Sequence, residues 1–122
     1  MSYTIRYDPE NDCIMASMEG DMDLNKLREF AKILTQEMEK NNCYKIFNDV
    51  RKINVKLSTT EIYNLPKIIM EWGLKPFCKR ALVVANDFND IAFFETVSVN
   101  QLQNVKIFRD SDDAIKWLKS KE

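Results

Sequence analysis

The chain contains no histidine. That absence removes the commonest general base, the commonest metal ligand and the side chain that titrates near neutral pH. Glycine occurs only twice, at Gly20 and Gly73, so no glycine-rich loop can cradle a phosphate. Neither sign of charge is in excess: the net charge is −1 and the 18 Lys and Arg residues are spread along the whole chain, which argues against a nucleic-acid partner. No apolar run is long enough for a membrane span and no leading signal-peptide pattern is visible, so the expected location is the cytoplasm. The cysteines are three, Cys13, Cys43 and Cys78, an odd number without a CxxC pair. Each lies in or beside a predicted strand, and they read as small core or edge residues of a reducing compartment. Carboxylates, lysines, tyrosines and thiols could still support catalysis. With histidine and a phosphate loop both missing, however, the expectation is a non-enzymatic protein with no metal and no cofactor.

What is present suffices for one globular domain. At 122 residues, with 45% hydrophobic and 30% charged side chains, the chain can bury a core of ordinary size, and residues 1–122 read as a single domain. Tyr3, Ile5 and Tyr7 alternate with polar neighbours, the period of a half-buried strand. Pro9, Asn11 and Asp12 supply a turn, and Cys13–Glu19 forms the second strand of a hairpin, ended by Gly20 and Asp21. Asp21 or Asp23 can cap the next helix, in which Leu24, Leu27, Phe30, Ala31, Leu34 and Met38 recur at helical spacing as far as Lys40 to Asn42. Tyr44–Val50 is a third strand, and 51–57 reads as a loop made basic by Arg51, Lys52 and Lys56, either solvated or meeting an anion.

A dense helix-start signal follows. Ser58 can be the N-cap, Glu61 completes a capping box, and Leu57 and Ile62 are spaced as a hydrophobic staple. Pro66 lies inside this helix and predicts a kink or break near Asn64 and Leu65. Ile68, Ile69 and Trp72 continue its apolar face, Tyr63 and Trp72 read as packing residues, and Gly73 is a left-handed stop. The apolar run 80–85 has the composition of a central parallel strand. Residues 88–102 read as a helix, 104–108 as the last strand, and Asp110 as the cap of a final helix. Asp112 and Asp113 in its first turn and Lys116, Lys119 and Lys121 toward its end suit the helix dipole. Asp87, Asp90 and Glu95 are read as caps and turn residues rather than as a cation site.

The pattern β-β-α-β-α-β-α-β-α predicts an α/β fold. Its mixed, mostly parallel sheet has about five strands and an N-terminal hairpin. Right-handed crossovers place the helices mainly on one side. The other face is expected to be partly open, with tyrosine and methionine on it.

This layout resembles the SpoIIAA-like family, relatives of the STAS domain of anti-sigma-factor antagonists. The resemblance spans essentially the whole chain. It is carried by MEGDMDLNKLREFAKIL, similar to that family's opening strand, acidic turn and first helix, by KIFNDV, similar to its central strand with a terminal Asp, and by the closing F-x-D-x-x-x-A-x-x-W-L from Phe108 to Leu118. It implies a β-α superhelix and a regulatory or protein-interaction module. In STAS antagonists a Ser just after the central strand and loop is phosphorylated at a helix start, and Ser58 stands in the matching place, followed by Thr59 and Thr60. The family pattern there is an Asp, two Ser and a Gly. This chain reads Leu57, Ser58, Thr59, Thr60, without the acid and without the glycine.

The family resemblance also implies apolar ligand binding or membrane association. On a helical projection of 88–102, Phe93 and Val97 fall opposite the main apolar face. They either pack against the neighbouring helix near Ile68, Ile69 and Met70 or, with Ile69 and Met70, form a cleft. Such a cleft would take an acyl-like ligand, a lipid surface or a second subunit. Three expectations about partners follow: a protein partner or self-association, a small apolar molecule or membrane surface, and no nucleic acid.

Overall fold

The computed structural model describes residues 2–86 and 104–121. The first strand, β1 (Ser2–Asp8), turns through an Asx-type loop in which the Asp8 carboxylate accepts from the Glu10 backbone N–H and from Asn11 Nδ2. Asp12 takes the left-handed φ of 50° that closes this turn, and Tyr7 Oη donates to Asp12 Oδ1 at 2.9 Å. The chain then continues through β2 (Cys13–Met22), α1 (Leu24–Asn41), β3 (Lys45–Val55), α2 (Thr59–Glu71), β4 (Lys79–Val83), β5 (Asn104–Phe108) and α3 (Ser111–Lys119).

The five strands form one sheet in the order β1-β2-β3-β4-β5, with β1 antiparallel to β2 and the remaining pairs parallel. The expected mixed sheet with an N-terminal hairpin is therefore the observed one, and the apolar run 80–85 supplies most of β4, an inner strand with parallel neighbours on both sides. The expected helix over 88–102 lies outside the described residues.

Two layers of helix cover the sheet. Ile14, Ala16 and Met18 of β2 face Phe30, Leu34 and Met38 of α1, and Ile69 of α2 joins the same cluster. On the other face Phe47, Ala81 and Val83 pack against Ala114 and Leu118 of α3. Of the helices among the described residues, α1 and α2 thus share a side and α3 covers the other. On the α3 side of the sheet the hairpin is polar: Thr4 and Ser17 hydrogen-bond at 2.8 Å and Ser2 donates to Glu19. Tyr3, Ile5 and Tyr7 do not lie there but beneath α1, with Tyr3 set edge-on to Phe30 at 5.4 Å. The alternation was legible in β1. Which set was covered was decided by where the helix crosses.

Strands β2 and β3 are longer than their sequence suggests. The pairing Ser17–Asp49 is followed by Glu19–Lys52, so that β3 carries one extra residue opposite Met18, a bulge in a parallel pair. The bulge resets the phase of alternation: Val50 is buried, and Ile53 and Val55 pack against the same cluster although they are not spaced by two from it. A strict period of two fails across this point, which is why 51–55 looked like a loop. Arg51 and Lys52 are strand residues, and Arg51 is engaged by its neighbour. Its guanidinium makes a forked contact with Asp49, Nη2 to Oδ2 at 2.7 Å and Nε to Oδ1 at 3.0 Å.

Helix α1 starts at the Asp23 cap, whose carboxylate accepts from the Lys26 N–H, and ends on Asn42 in the left-handed conformation. Helix α2 runs as one helix through Pro66, so of the expected kink or break the break does not occur. Capping at one end and a tightened last turn at the other supply the stability that the missing N–H removes. The Trp72 N–H bonds back into the last turn, Gly73 adopts φ 104°, and the Leu74 N–H returns to the Ile69 carbonyl. Asp110 caps α3 through the N–H groups of Asp112 and Asp113.

Candidate functional site

The start of α2 is built as its sequence requires. Ser58 Oγ accepts from the Glu61 N–H at 3.1 Å, and the Glu61 carboxylate accepts from the Ser58 N–H at 2.8 Å, so the capping box is complete. Leu57 and Ile62 meet in one apolar cluster, as the staple predicts. The hydroxyls of Ser58, Thr59 and Thr60 all belong to exposed residues at a helix N-terminus, where unpaired N–H groups and the helix dipole favour an anion. Tyr63, expected to pack, is 79% exposed, because α2 turns only Ile62, Leu65 and Ile69 toward α1 and the sheet.

A second feature lies beneath α2. The helix leans on α1 and reaches the sheet through side chains such as Ile62 and Leu65 against Val55. Between these elements is an apolar cavity of about 80 Å³, lined by residues of β2, α1, β3, α2 and β4. Ile69 and Leu65 contribute from α2, Phe30 and Leu34 from α1, and Met18, Ile46 and Val50 from the sheet. Two polar side chains interrupt the lining, Asn48 and Arg80. Both stand on inner-face positions of adjacent parallel strands, Asn48 opposite Leu82 and Arg80 opposite Ile46. Burial pushes the Arg80 guanidinium down to about 10, which leaves it charged at neutral pH, and Arg80 has an interaction of its own. Asn48 Oδ1 is buried with no hydrogen-bond partner among the described residues.

The structure separates two residues that the sequence had grouped. Ile69 lines the cavity, whereas Met70 is exposed beside Tyr63 on the outer side of α2. Phe93 and Val97, the other members of the expected apolar face, lie outside the described residues, as do Asp87, Asp90 and Glu95. Asn48 was not singled out from sequence, although a signal existed: in KIFNDV it occupies the inward register of Ile46 and Val50.

Lys79 is the other residue that sequence reasoning missed. It is 7% exposed and stands at the end of α3, where its ammonium donates to the Trp117 carbonyl, to the Ser120 carbonyl at 2.9 Å and to Ser120 Oγ at 3.1 Å. It also lies 4.6 Å from the centroid of the Trp117 ring. The role is that of a cationic cap on the negative end of a helix. The cysteines are all buried and unpaired by disulfides; burial pushes the Cys13 thiol up to about 11 and raises those of Cys43 and Cys78. Among the described residues no group of His, Cys, Asp and Glu side chains is placed to hold a metal ion, and no helix is long and apolar enough to cross a membrane.

A five-stranded mixed sheet with α1 and α2 on one face, α3 on the other and a capped helix after the central strand defines an α/β protein with the SpoIIAA-like fold. Solved structures agree on that point. The chain is similar to an uncharacterized protein of the DUF3478 family with a SpoIIAA-like fold from Shewanella loihica PV-4. That likeness has a TM-score of 0.61 at 16% identity and covers 96% of this chain and 92% of the other. It is also similar to the Bacillus cell fate determinant SpoIIAA in its phosphorylated form, with a TM-score of 0.56 at 10% identity over 96% of this chain and 99% of SpoIIAA. No family model and no curated protein matches the sequence. The likeness is therefore one of fold, and it extends over nearly the whole chain.

Proposed function

We propose that this protein is a non-enzymatic regulatory module that meets a protein partner through the surface around the start of α2, with Ser58 as the residue on which regulation acts. One observation carries the reading: an exposed hydroxyl at a helix N-terminus, directly after the central strand of a SpoIIAA-like fold. SpoIIAA itself has been seen phosphorylated. A phosphate on Ser58 would sit where helix N–H groups favour an anion. It would also displace Glu61, since that carboxylate occupies the Ser58 N–H in the unmodified box and two anions cannot share it. Phosphorylation would thus rewrite both the charge and the local structure of this corner. Thr59 and Thr60 are the neighbouring acceptors.

The test is phosphosite mapping of the protein isolated from its own cells, together with in-cell crosslinking of the wild type, Ser58→Ala and Ser58→Asp. The expected result is phosphate on Ser58 and a crosslinked partner that is lost or exchanged in Ser58→Asp. An unmodified 58–60 segment with identical crosslinks in all three proteins overturns the proposal.

A second reading, binding of a small apolar molecule, is favoured by the cavity beneath α2. The two are compatible. A ligand held under the helix that carries Ser58 would stabilise the same corner that the partner meets. Ile69 serves that reading from inside the cavity, whereas Met70 stands on the exposed side of α2.

A further inference from the structure

The cavity beneath α2 is not uniformly apolar, and its polar exception has a direction. Asn48 stands in the inward register of β3 between Ile46 and Val50, opposite Leu82, so its amide is set among apolar side chains. Its Oδ1 is buried and lacks a partner among the described residues. A buried acceptor left unpaired costs stability, and native structures seldom keep one without a water, an ion or a function to meet it. The other polar side chain of the lining, Arg80, already has its own interaction. The atom left without a partner is Asn48 Oδ1, and an amide oxygen asks for a hydrogen-bond donor.

Size narrows the class further. The cavity volume of about 80 Å³ lies between the roughly 10–15 Å³ that holds one water and the roughly 150 Å³ that accommodates benzene. A molecule of about four or five non-hydrogen atoms fits that interval. The remaining lining, from Phe30, Leu34, Ile46, Leu65 and Ile69, asks for an aliphatic body.

We propose that the cavity under α2 is a binding site for a small neutral amphiphile, a short aliphatic chain bearing one hydroxyl or N–H group that donates to Asn48 Oδ1. This rests on the small-molecule reading above and deepens it by assigning the polar anchor. The apolar chain would lie against the underside of α2, between Leu65, Ile69 and the sheet. Occupancy would stiffen the helix that begins at Ser58.

Two isomeric probes separate the parts of the proposal: n-butanol, which can donate, and diethyl ether, which cannot. Each is titrated into the full chain while the methyl resonances of Leu34, Ile46, Val50, Leu65 and Ile69 are followed by NMR. Sodium butyrate serves as the anionic control. The expected result is saturable shifts at these methyls with n-butanol and binding about tenfold weaker for the ether, the ratio that one unmade hydrogen bond produces. Butyrate should bind more weakly than the alcohol. In Asn48→Leu the preference between alcohol and ether should vanish. Should that variant fail to fold, Ala31→Leu, which fills the cavity from α1, is expected to abolish the shifts. Equal affinity for alcohol and ether in the wild type overturns the Asn48 anchor while leaving the apolar site standing. Tighter binding of butyrate also overturns it. No saturable shift with any probe, with a water retained at Asn48, overturns both the anchor and the small-molecule reading.

Discussion

Lys79 shows how much a single side chain can contribute from a place its sequence does not advertise. Its ammonium has three donors, and the structure gives it three acceptors at the C-terminal end of α3, two of them main-chain carbonyls. Removing the cation leaves these part-buried acceptors beside a neutral side chain, although the Trp117 carbonyl keeps the Ser120 N–H and hydroxyl as donors. Lys79→Met is expected to destabilise the protein by about 2 kcal/mol, the order of a hydrogen bond to a charged group. Urea denaturation with an unchanged m-value would report that loss. Lys79→Arg should recover little, because a planar fork does not reproduce the geometry of a compact ammonium. The thiols make the opposite case. Cys13, Cys43 and Cys78 are buried and their pKa values lie above the ordinary thiol range, so the reactive thiolate is scarce and shielded. A thiol reagent at pH 8 should modify none of them in the folded protein and all three after denaturation, as counted by mass.

At the scale of the element, α2 is decided by its ends. Pro66 removes one backbone donor from its interior, and the sequence taken alone predicts a kink or break there. The helix persists because Ser58, Glu61, Leu57 and Ile62 close one end while Gly73 and Leu74 close the other. Ser58→Ala should cost about 1 kcal/mol, the usual worth of an N-cap, whereas Ser58→Asp, itself a good cap, should stay near the wild type. Thermal unfolding of the three proteins distinguishes them. It also separates a stability effect from any effect of charge on partner binding. The capping box, the staple, the left-handed stop and the Asp110 cap were all readable from sequence because each is local. The continuation of β3 past Val50 was not. It depends on a bulge opposite Met18 that only the neighbouring strand reveals, and with it went the misreading of Arg51 and Lys52 as loop residues.

At the scale of the whole molecule, two carboxylates among the described residues bear on acid stability. The Arg51 guanidinium beside Asp49 holds its carboxyl below the usual carboxylate range, and the Asn11 amide does the same for Asp8. A carboxyl whose folded pKa is depressed contributes stability above its unfolded pKa and loses that contribution as pH falls through the folded value. Stability should therefore be level from neutral pH to about 5 and decline below about 4. Asp49→Asn, with its Arg51 pair gone, should decline less steeply, and urea midpoints across this range would show it. If the two proteins decline in parallel, the Asp49–Arg51 fork contributes nothing to the acid limb.

Sequence alone determined the features that depend on near neighbours: the hairpin turn at Asp8 to Asp12, the caps at Asp23, Ser58 and Asp110, the apolar composition of an inner strand, and the spacing of the apolar face of α1. These are set within a few residues, by periodicity and by side chains that satisfy adjacent backbone groups. Tertiary structure decided which face of the hairpin was covered, where β3 ended, that Lys79 met the end of α3, and that Asn48 lined a cavity with its oxygen unpaired. Each of these depends on two or more elements brought together from distant parts of the chain. The burial of a polar atom depends on what packs over it, and that is supplied by the fold as a whole.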